Sequence, residues 1–388
     1  MMESWVPFLS RRGAIVSAAA AAVTLSAFST AGQTSGNNAV VGSVPRGKMR
    51  VWQVGAQKSF ETLMLVERQI PAPGPGQALI KVSYAGIAAR DQGIATLRFP
   101  VPPGPRPETL IPLSEGAGVV VAVGGDEVRI KPGDRVTSNH WANWISGPWS
   151  PANYAADVGN TIDGWLGEYV LLPAQCLALT PDGVADRDAA TLAGSGVTAW
   201  HALHDVARVR SDDIVLTLGT GGVSSFGLIL AKAAGAKVIV TSSSDEKLAM
   251  ARTLGADVTI NYKTNSDWGK EVIARTGGRG ATVVLENVGP ATLDQSRAAA
   301  AVNARIVMIG TGRPPERPPN MNGMYMKNLM LKAISAGSRE MTEGLLATMA
   351  QNHLKALIAK EIPFADARQA YVQIRDGDHF GKIVVRMG

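Results

Sequence analysis

The feature that most constrains this chain is a β-strand pattern that runs straight into glycines. Residues 214–218, Ile-Val-Leu-Thr-Leu, are followed at once by Gly219-Thr220-Gly221-Gly222-Val223-Ser224 and by a helical pattern that lasts to residue 234. The rhythm then repeats, with strand patterns at 237–241, 258–261, 282–286 and 305–309 and helical patterns at 245–254, 266–275 and 291–301. Short apolar runs alternating with helices predict an α/β fold built on a doubly wound parallel sheet. Residues 329–335 are expected to add a sixth strand at its edge.

The first half of the chain has a different period. Apolar and polar positions alternate at Val51/Gln53, Ile80/Val82/Tyr84 and Val119/Val121/Val123, between the Pro/Gly turns 71–76 and 100–107. Half-buried antiparallel strands have this signature. A further strand is read at 167–172, and the tail from 338 returns to a helix and strands ending in Lys382-Ile383-Val384-Val385, which should pack back on the first domain. The predicted organisation is therefore an address segment and linker (1–47), a β-rich catalytic domain (48–195), a dinucleotide-binding domain (196–337) and a return segment of the catalytic domain (338–388). A length of 388 residues suits two domains better than one core.

Several function classes drop out. The 38 Lys and Arg against 32 Asp and Glu are scattered rather than gathered into a stripe, so nucleic-acid binding has no footprint. Beyond the N-terminus no apolar run is long enough to span a bilayer. The single cysteine, Cys176, excludes an internal disulfide and any multi-cysteine zinc site; it has no basic neighbour in sequence and reads as inert.

Ser10-Arg11-Arg12, the Ala-rich stretch 14–28 and Ser29-Thr30-Ala31 follow the order charged, apolar, small. This is the layout of an export signal, and the paired arginines point to the twin-arginine route and a periplasmic or exported protein. Residues 32–46 are Gly/Ser/Asn-rich and read as a flexible spacer, with Val51 as the first packed residue. An uncleaved tail, or a start at Met49 that would leave the protein cytoplasmic, are the other readings.

Strand, glycine turn, helix and second strand arrive at the spacing of a dinucleotide site. Gly219, Gly221 and Gly222 allow a tight turn, and Val223 opens the helix, so a pyrophosphate can rest on free N–H groups and the positive helix end. Ser224 stands where a third glycine is usual. About 20 residues further on, NAD sites usually carry a carboxylate for the ribose hydroxyls. Here Ser242 and Ser243 stand there instead, with Lys247 a turn later, which favours NADP while still permitting NAD. Tyr262 is placed to lie against the adenosine. Asn287, in Asn287-Val288-Gly289, and Gly310-Thr311 follow successive strands and are expected to hold the nicotinamide half with their backbones.

With these residues in view, the chain from Met49 to Gly388 resembles the medium-chain dehydrogenase/reductase superfamily, in its zinc-independent alcohol dehydrogenase-like and quinone oxidoreductase-like branch. The resemblance rests on Ala85-Gly86-Ile87-Ala88-Ala89-Arg90-Asp91, on Ile111-Pro112-Leu113-Ser114-Glu115-Gly116-Ala117-Gly118 with Val123-Gly124, and on Lys131-Pro132-Gly133-Asp134-Arg135-Val136. It extends through Ala189-Ala190-Thr191-Leu192, Val197-Thr198-Ala199-Trp200, the glycine turn, Leu254-Gly255-Ala256-Asp257 and Gly381-Lys382-Ile383-Val384. It implies a GroES-like catalytic domain beside the Rossmann domain, and a substrate cleft between them.

The resemblance also implies where a zinc enzyme would hold its metal. Those three positions carry Ala88, Ser114 and Gly194, so no zinc is expected. Without a Lewis acid, a substrate that is already electrophilic is the natural one, such as a quinone, an activated alkene or a reactive carbonyl, its proton coming from water or a nearby polar group. The same likeness puts Thr198 under the nicotinamide and places Arg90 and Asp91 at a proton-relay position and a supporting carboxylate position. Those two are read as a buried pair, or Arg90 as polarising a substrate oxygen. Ser114 is small and cleft-facing, Glu115 a structural acceptor, and His140 a candidate proton donor.

Trp141, Trp144, Trp149, Tyr154 and Trp165 crowd the segment after the catalytic-domain strands. They suit an aromatic-lined cleft for a flat or apolar small molecule, or equally a private core or dimer contact. The function read from all this is zinc-independent, NAD(P)H-dependent hydride transfer in a homodimer. The alternatives are a zinc-independent alcohol dehydrogenase and, in another class, a nucleotide-binding protein without turnover.

Overall fold

The computed structural model describes residues 40–55, 59–96, 107–125, 129–312 and 318–388. The export signal read at the N-terminus lies outside the described residues, as does all of the segment before residue 40. Among the described residues no helix is long and apolar enough to cross a membrane.

The N-terminal strands are β1 (Val40–Gly42), β2 (Lys48–Val54), β3 (Leu63–Gln69), β4 (Gln77–Ile87), β5 (Glu115–Gly124), β6 (Arg135–Ser138), β7 (Tyr169–Pro173) and β8 (Leu177–Leu179). Together with β15 (Ile358–Pro363) and β16 (Lys382–Arg386), most of them form one curved sheet ordered β15-β16-β4-β5-β6-β8, with β1 added on β5 and β7 on β4. β2 and β3 pair separately. The bends in β4 and β5 come from register shifts at Leu79/Ile80 and Val82/Tyr84. The returning tail does join this sheet, because β16 pairs antiparallel with Tyr84–Ile87 of β4.

Two details of the spacer reading are corrected. Val40–Gly42 is a strand, antiparallel to Ala122–Gly124, and Met49 is already packed in the core. The valines of β1 remain exposed, so backbone pairing holds the strand and composition carries no sign of it.

The second sheet consists of β9 (Ile214–Leu218), β10 (Lys237–Ser242), β11 (Val258–Asn261), β12 (Ala281–Glu286), β13 (Ala300–Met308) and β14 (Met330–Ala333), in the order β11-β10-β9-β12-β13-β14 and parallel throughout. All five residues of β9 are buried, as a central strand covered on both faces requires. β13 begins five residues before the expected strand. The alanines at 298–301 read as helix, yet the helix Leu293–Ala299 stops there, and Asn303, at φ 62°, sits in the bulge through which the strand continues. Chain order reverses between β9 and β12, which opens a crevice at their carboxyl ends.

Candidate active site

The crevice is lined as a dinucleotide requires. β9 ends in Gly219, at φ 77°, and the helix Gly222–Ala233 follows with Gly221 at its N-cap and no side chain capping it. A Cβ on Gly219 or Gly221 would meet nothing within 4 Å, so the space in front of the turn is open and the first N–H groups of the helix are left for a ligand. Ser224, in place of the third glycine, donates its hydroxyl to Leu218 O at 2.7 Å and ties helix to strand. Asn287 sends its amide to Ser224 Oγ at 2.8 Å across the switch point, and its buried Oδ1 has no partner among the described residues. An unpaired buried acceptor beside an open glycine turn fits a polar ligand at this place. Gly310 packs on the Asn287 and Val288 backbone, and Thr311 is exposed after β13.

Ser242 is buried at the end of β10, Ser243 is half-buried, and the exposed Tyr262 donates its N–H to Ser242 O at 3.0 Å. Lys247 is the member of this set that stands elsewhere. Its ammonium bonds Gly377 O at 2.7 Å and pairs with Asp378 at 3.4 Å, so it is engaged with the loop before β16.

Arg90, Asp91, Ser114 and His140 come together in one network. The helix Ala89–Ala95 follows β4, and Asp91 caps it by accepting the Ala88 N–H at 2.8 Å. Asp91 Oδ1 also accepts from the Ser114 N–H at 3.0 Å and from the Ser114 hydroxyl at 2.6 Å. Arg90 bonds Ser114 Oγ as well, but its ion pair runs to Asp157, with Nη2 at 2.9 and 2.8 Å from the two carboxylate oxygens. The expected Arg90–Asp91 pair is thus replaced by Arg90–Asp157. Successive residues of a helix point in different directions, which is why one side chain turns back to its own N-terminus and the other outward.

Asp157 was not legible as a site residue. It also accepts from His140 Nδ1 at 3.1 Å and from Asn160 Nδ2 at 2.9 Å. Burial works to raise its pKa, but Arg90 beside it and the bonds from His140 and Asn160 outweigh that and hold it below the usual carboxylate value. Burial and the Arg90 charge push His140 down to about 4, against the pull of Asp157. The imidazole is therefore neutral at pH 7.

A second buried pair lies behind the first. Lys382 of β16 donates to Ile87 O at 2.8 Å, to Glu115 Oε1 at 3.1 Å and to Ser195 Oγ at 3.2 Å. Desolvation raises the Glu115 pKa to about 7, against the lowering influence of Lys382. A Cβ on Gly222 would come within 2.5 Å of Ser195 Oγ and 2.7 Å of Lys382 Cδ, so this cation lies directly behind the start of the cofactor helix. Lys382 was legible only as part of the Gly381–Val384 motif, without a role, and Ser195 was not singled out at all. Thr198 sits on the short helix Val197–Trp200 and spends its hydroxyl on Gly194 O; it has no bond to the Arg90 network.

The aromatic segment divides. Trp141 and Trp149 both pack edge-on to Tyr154, at 4.9 and 5.4 Å, and the Arg90 guanidinium lies 5.7 Å from the Trp141 ring centre. Trp165 is wholly buried and donates to Ser138 Oγ, and Trp144, nearly as buried as Trp141, meets His201 edge-on. Burial pushes the Cys176 thiol up to about 12, in keeping with an inert residue.

A catalytic zinc held in the manner of the zinc dehydrogenases does not fit these residues. Ala88 and Gly194 have no side-chain donor, Ser114 is committed to Arg90 and Asp91, and a Cβ on Gly194 would already be 2.5 Å from Glu115 Oε1.

Two family models match the chain: an alcohol dehydrogenase GroES-like domain over residues 74–182 and a zinc-binding dehydrogenase over residues 222–351. A zinc-type alcohol dehydrogenase-like protein of Schizosaccharomyces pombe is 35% identical over 337 residues, covering 84% of this chain and 96% of that protein. Among solved structures, a candidate alcohol dehydrogenase from Sinorhizobium meliloti superposes with a TM-score of 0.82 at 34% identity, covering 89% of this chain and 100% of that one. A mycobacterial protein solved with NADPH superposes at 0.72 and 26% identity, over 87% and 99% of the two chains.

Proposed function

Because the chain belongs to the medium-chain dehydrogenase/reductase superfamily, and is thus an NAD(P)-dependent oxidoreductase, we propose that it moves hydride without zinc between NADP(H) and a small apolar substrate of the carbonyl, activated-alkene or quinone type. The observation that carries this reading is the donor set at the family's metal positions, Ala88, Ser114 and Gly194, with Arg90–Asp157 and Glu115–Lys382 packed around them. Bound nicotinamide supplies the hydride donor or acceptor. The chain's own residues bind the pyrophosphate at Gly219–Val223, orient the ring from the Asn287 and Gly310 side, and present Thr198 beneath it. Ser242 and Ser243, standing at the strand end where NAD sites usually carry a carboxylate, favour NADP over NAD. Lys247 serves a 2′-phosphate only by leaving Gly377 and Asp378.

The test is NADPH and NADH oxidation, by absorbance, with protein dialysed against chelator and offered a quinone, an enal and an aldehyde in turn. Turnover undiminished by chelator is expected. Turnover restored only by zinc, or NADPH binding without turnover of any acceptor, overturns the reading. An alcohol dehydrogenase of the same metal-free kind is the second reading, favoured by the family's alcohol dehydrogenase neighbours. The export reading is checked by N-terminal sequencing of protein from its source, where an intact Met1 defeats it.

A further inference from the structure

The hub at Asp157 is more than packing needs. A fully buried carboxylate carrying an arginine, a histidine and an asparagine replaces what apolar side chains would fill at lower cost, and such arrangements mark sites of chemistry. An ionised carboxylate only accepts, so the proton facing Asp157 is on His140 Nδ1, and Nε2, across the ring, bears the lone pair. Among the described residues nothing bonds Nε2.

The charged and titratable groups around the ring are Arg90 and Asp91 from the helix after β4 and Asp157 from the facing loop. Trp141 lies tilted against the ring at 4.5 Å. None of them supplies a donor to Nε2, which leaves the nitrogen free to accept from a donor on a bound substrate. In their oxidised forms quinones, alkenes and carbonyls bring only acceptors, and an alkane left by alkene reduction brings no polar group at all. A hydroxyl brings the donor this nitrogen lacks.

We propose that His140 is the acid–base residue of this active site and Asp157 its positioning residue, and that the substrate pair is a carbinol and its carbonyl. The proposal rests on the metal-free reading above and narrows its substrate class. In oxidation the hydroxyl O–H bond breaks and its proton passes to Nε2, while the carbinol C–H bond breaks and its electron pair leaves as hydride to the oxidised nicotinamide. The C=O double bond forms, and the imidazolium lies against the Asp157 carboxylate until it loses the proton to solvent. Reduction runs through the same atoms in reverse. Arg90 keeps Asp157 ionised and fixed, so the ring cannot turn its Nδ1–H toward the substrate.

The experiment compares wild type, His140→Gln and Asp157→Asn as full chains on 1-phenylethanol with NADP⁺, acetophenone with NADPH, and a benzoquinone with NADPH. In His140→Gln, kcat for the alcohol and the ketone is expected to fall about 10²- to 10⁴-fold, while NADPH affinity changes by less than about threefold. Wild-type alcohol oxidation should be flat with pH from about 6 upward, because the base is already neutral, whereas the variant should accelerate with pH as hydroxide takes over. Asp157→Asn should lower kcat with little change in KM; if it does not fold, His140→Gln decides alone.

A His140→Gln enzyme that handles alcohol and ketone like wild type, with the same pH profile, overturns the proposal. So does a wild type that reduces the quinone and neither oxidises the alcohol nor reduces the ketone, and that result leaves the metal-free reading standing. Turnover that needs zinc defeats the metal-free reading first and is seen separately.

Discussion

Single residues here show how far a short motif reaches. Arg90, Asp91, Ser114 and His140 each stood out in the sequence, but their common partner did not: Asp157 lies 67 positions from Arg90 and 17 from His140, in a loop with no spacing rule. Glu115 permits a sharper test. Its native pKa of about 7 lies above the 4.5 of an unfolded carboxyl, so the native state keeps a proton that the unfolded chain has released. Stability is therefore lost as pH rises from about 4.5 through about 7. Glu115→Gln, which keeps size and can still accept from Lys382, should lack that loss. Its melting temperature relative to wild type should rise across this window; a constant difference would mean that the carboxyl is already ionised in acid. Gly222→Ala should cost about 1–3 kcal/mol through its clash with Ser195 and Lys382, as read by thermal unfolding, and should weaken NADPH binding with it.

At the scale of elements, the parallel sheet was legible because its strands are short, apolar and punctuated by glycine. β1 was not, since its valines stay in solvent, and β13 was misplaced because alanine favours helix wherever tertiary pairing does not override it. β14 is the last strand of its sheet and, among the described residues, its outer edge is unpaired, with Met330 exposed on it. Beside it in the chain, the helix Asn322–Met326 exposes Tyr325 and Met326 almost fully. An unpaired edge flanked by bare apolar side chains invites pairing with another copy. We expect a homodimer through this edge. Met330→Lys combined with Tyr325→Asp should then halve the mass seen by light scattering while leaving NADPH binding within about twofold. A native chain that is already monomeric would refute this arrangement.

Across the whole molecule, three buried clusters divide the work. One fills the curved sheet, one lies against the outer face of the parallel sheet, and one joins the two halves through Ala117, Phe226 and Leu345. A ligand that seats against both halves binds the native state alone, so saturating NADPH should raise the melting temperature, by about 2.7 kcal/mol of added stability at a hundredfold excess over Kd. NADH should do less at equal concentration, and chelator should do nothing. Equal shifts from the two cofactors would overturn the preference read from Ser242 and Ser243.

Lys382 completes the site from a strand that follows the entire parallel sheet in the chain. During synthesis, therefore, the ribosome delivers the GroES-like half early but leaves β4 with a bare flank, and Glu115 without its cation, until residue 382 has been made. A nascent chain stalled before residue 382 would carry the parallel sheet without the strand that backs both its glycine turn and Glu115. A chain cut off before β16 would therefore bare the flank of β4 as a sticky edge.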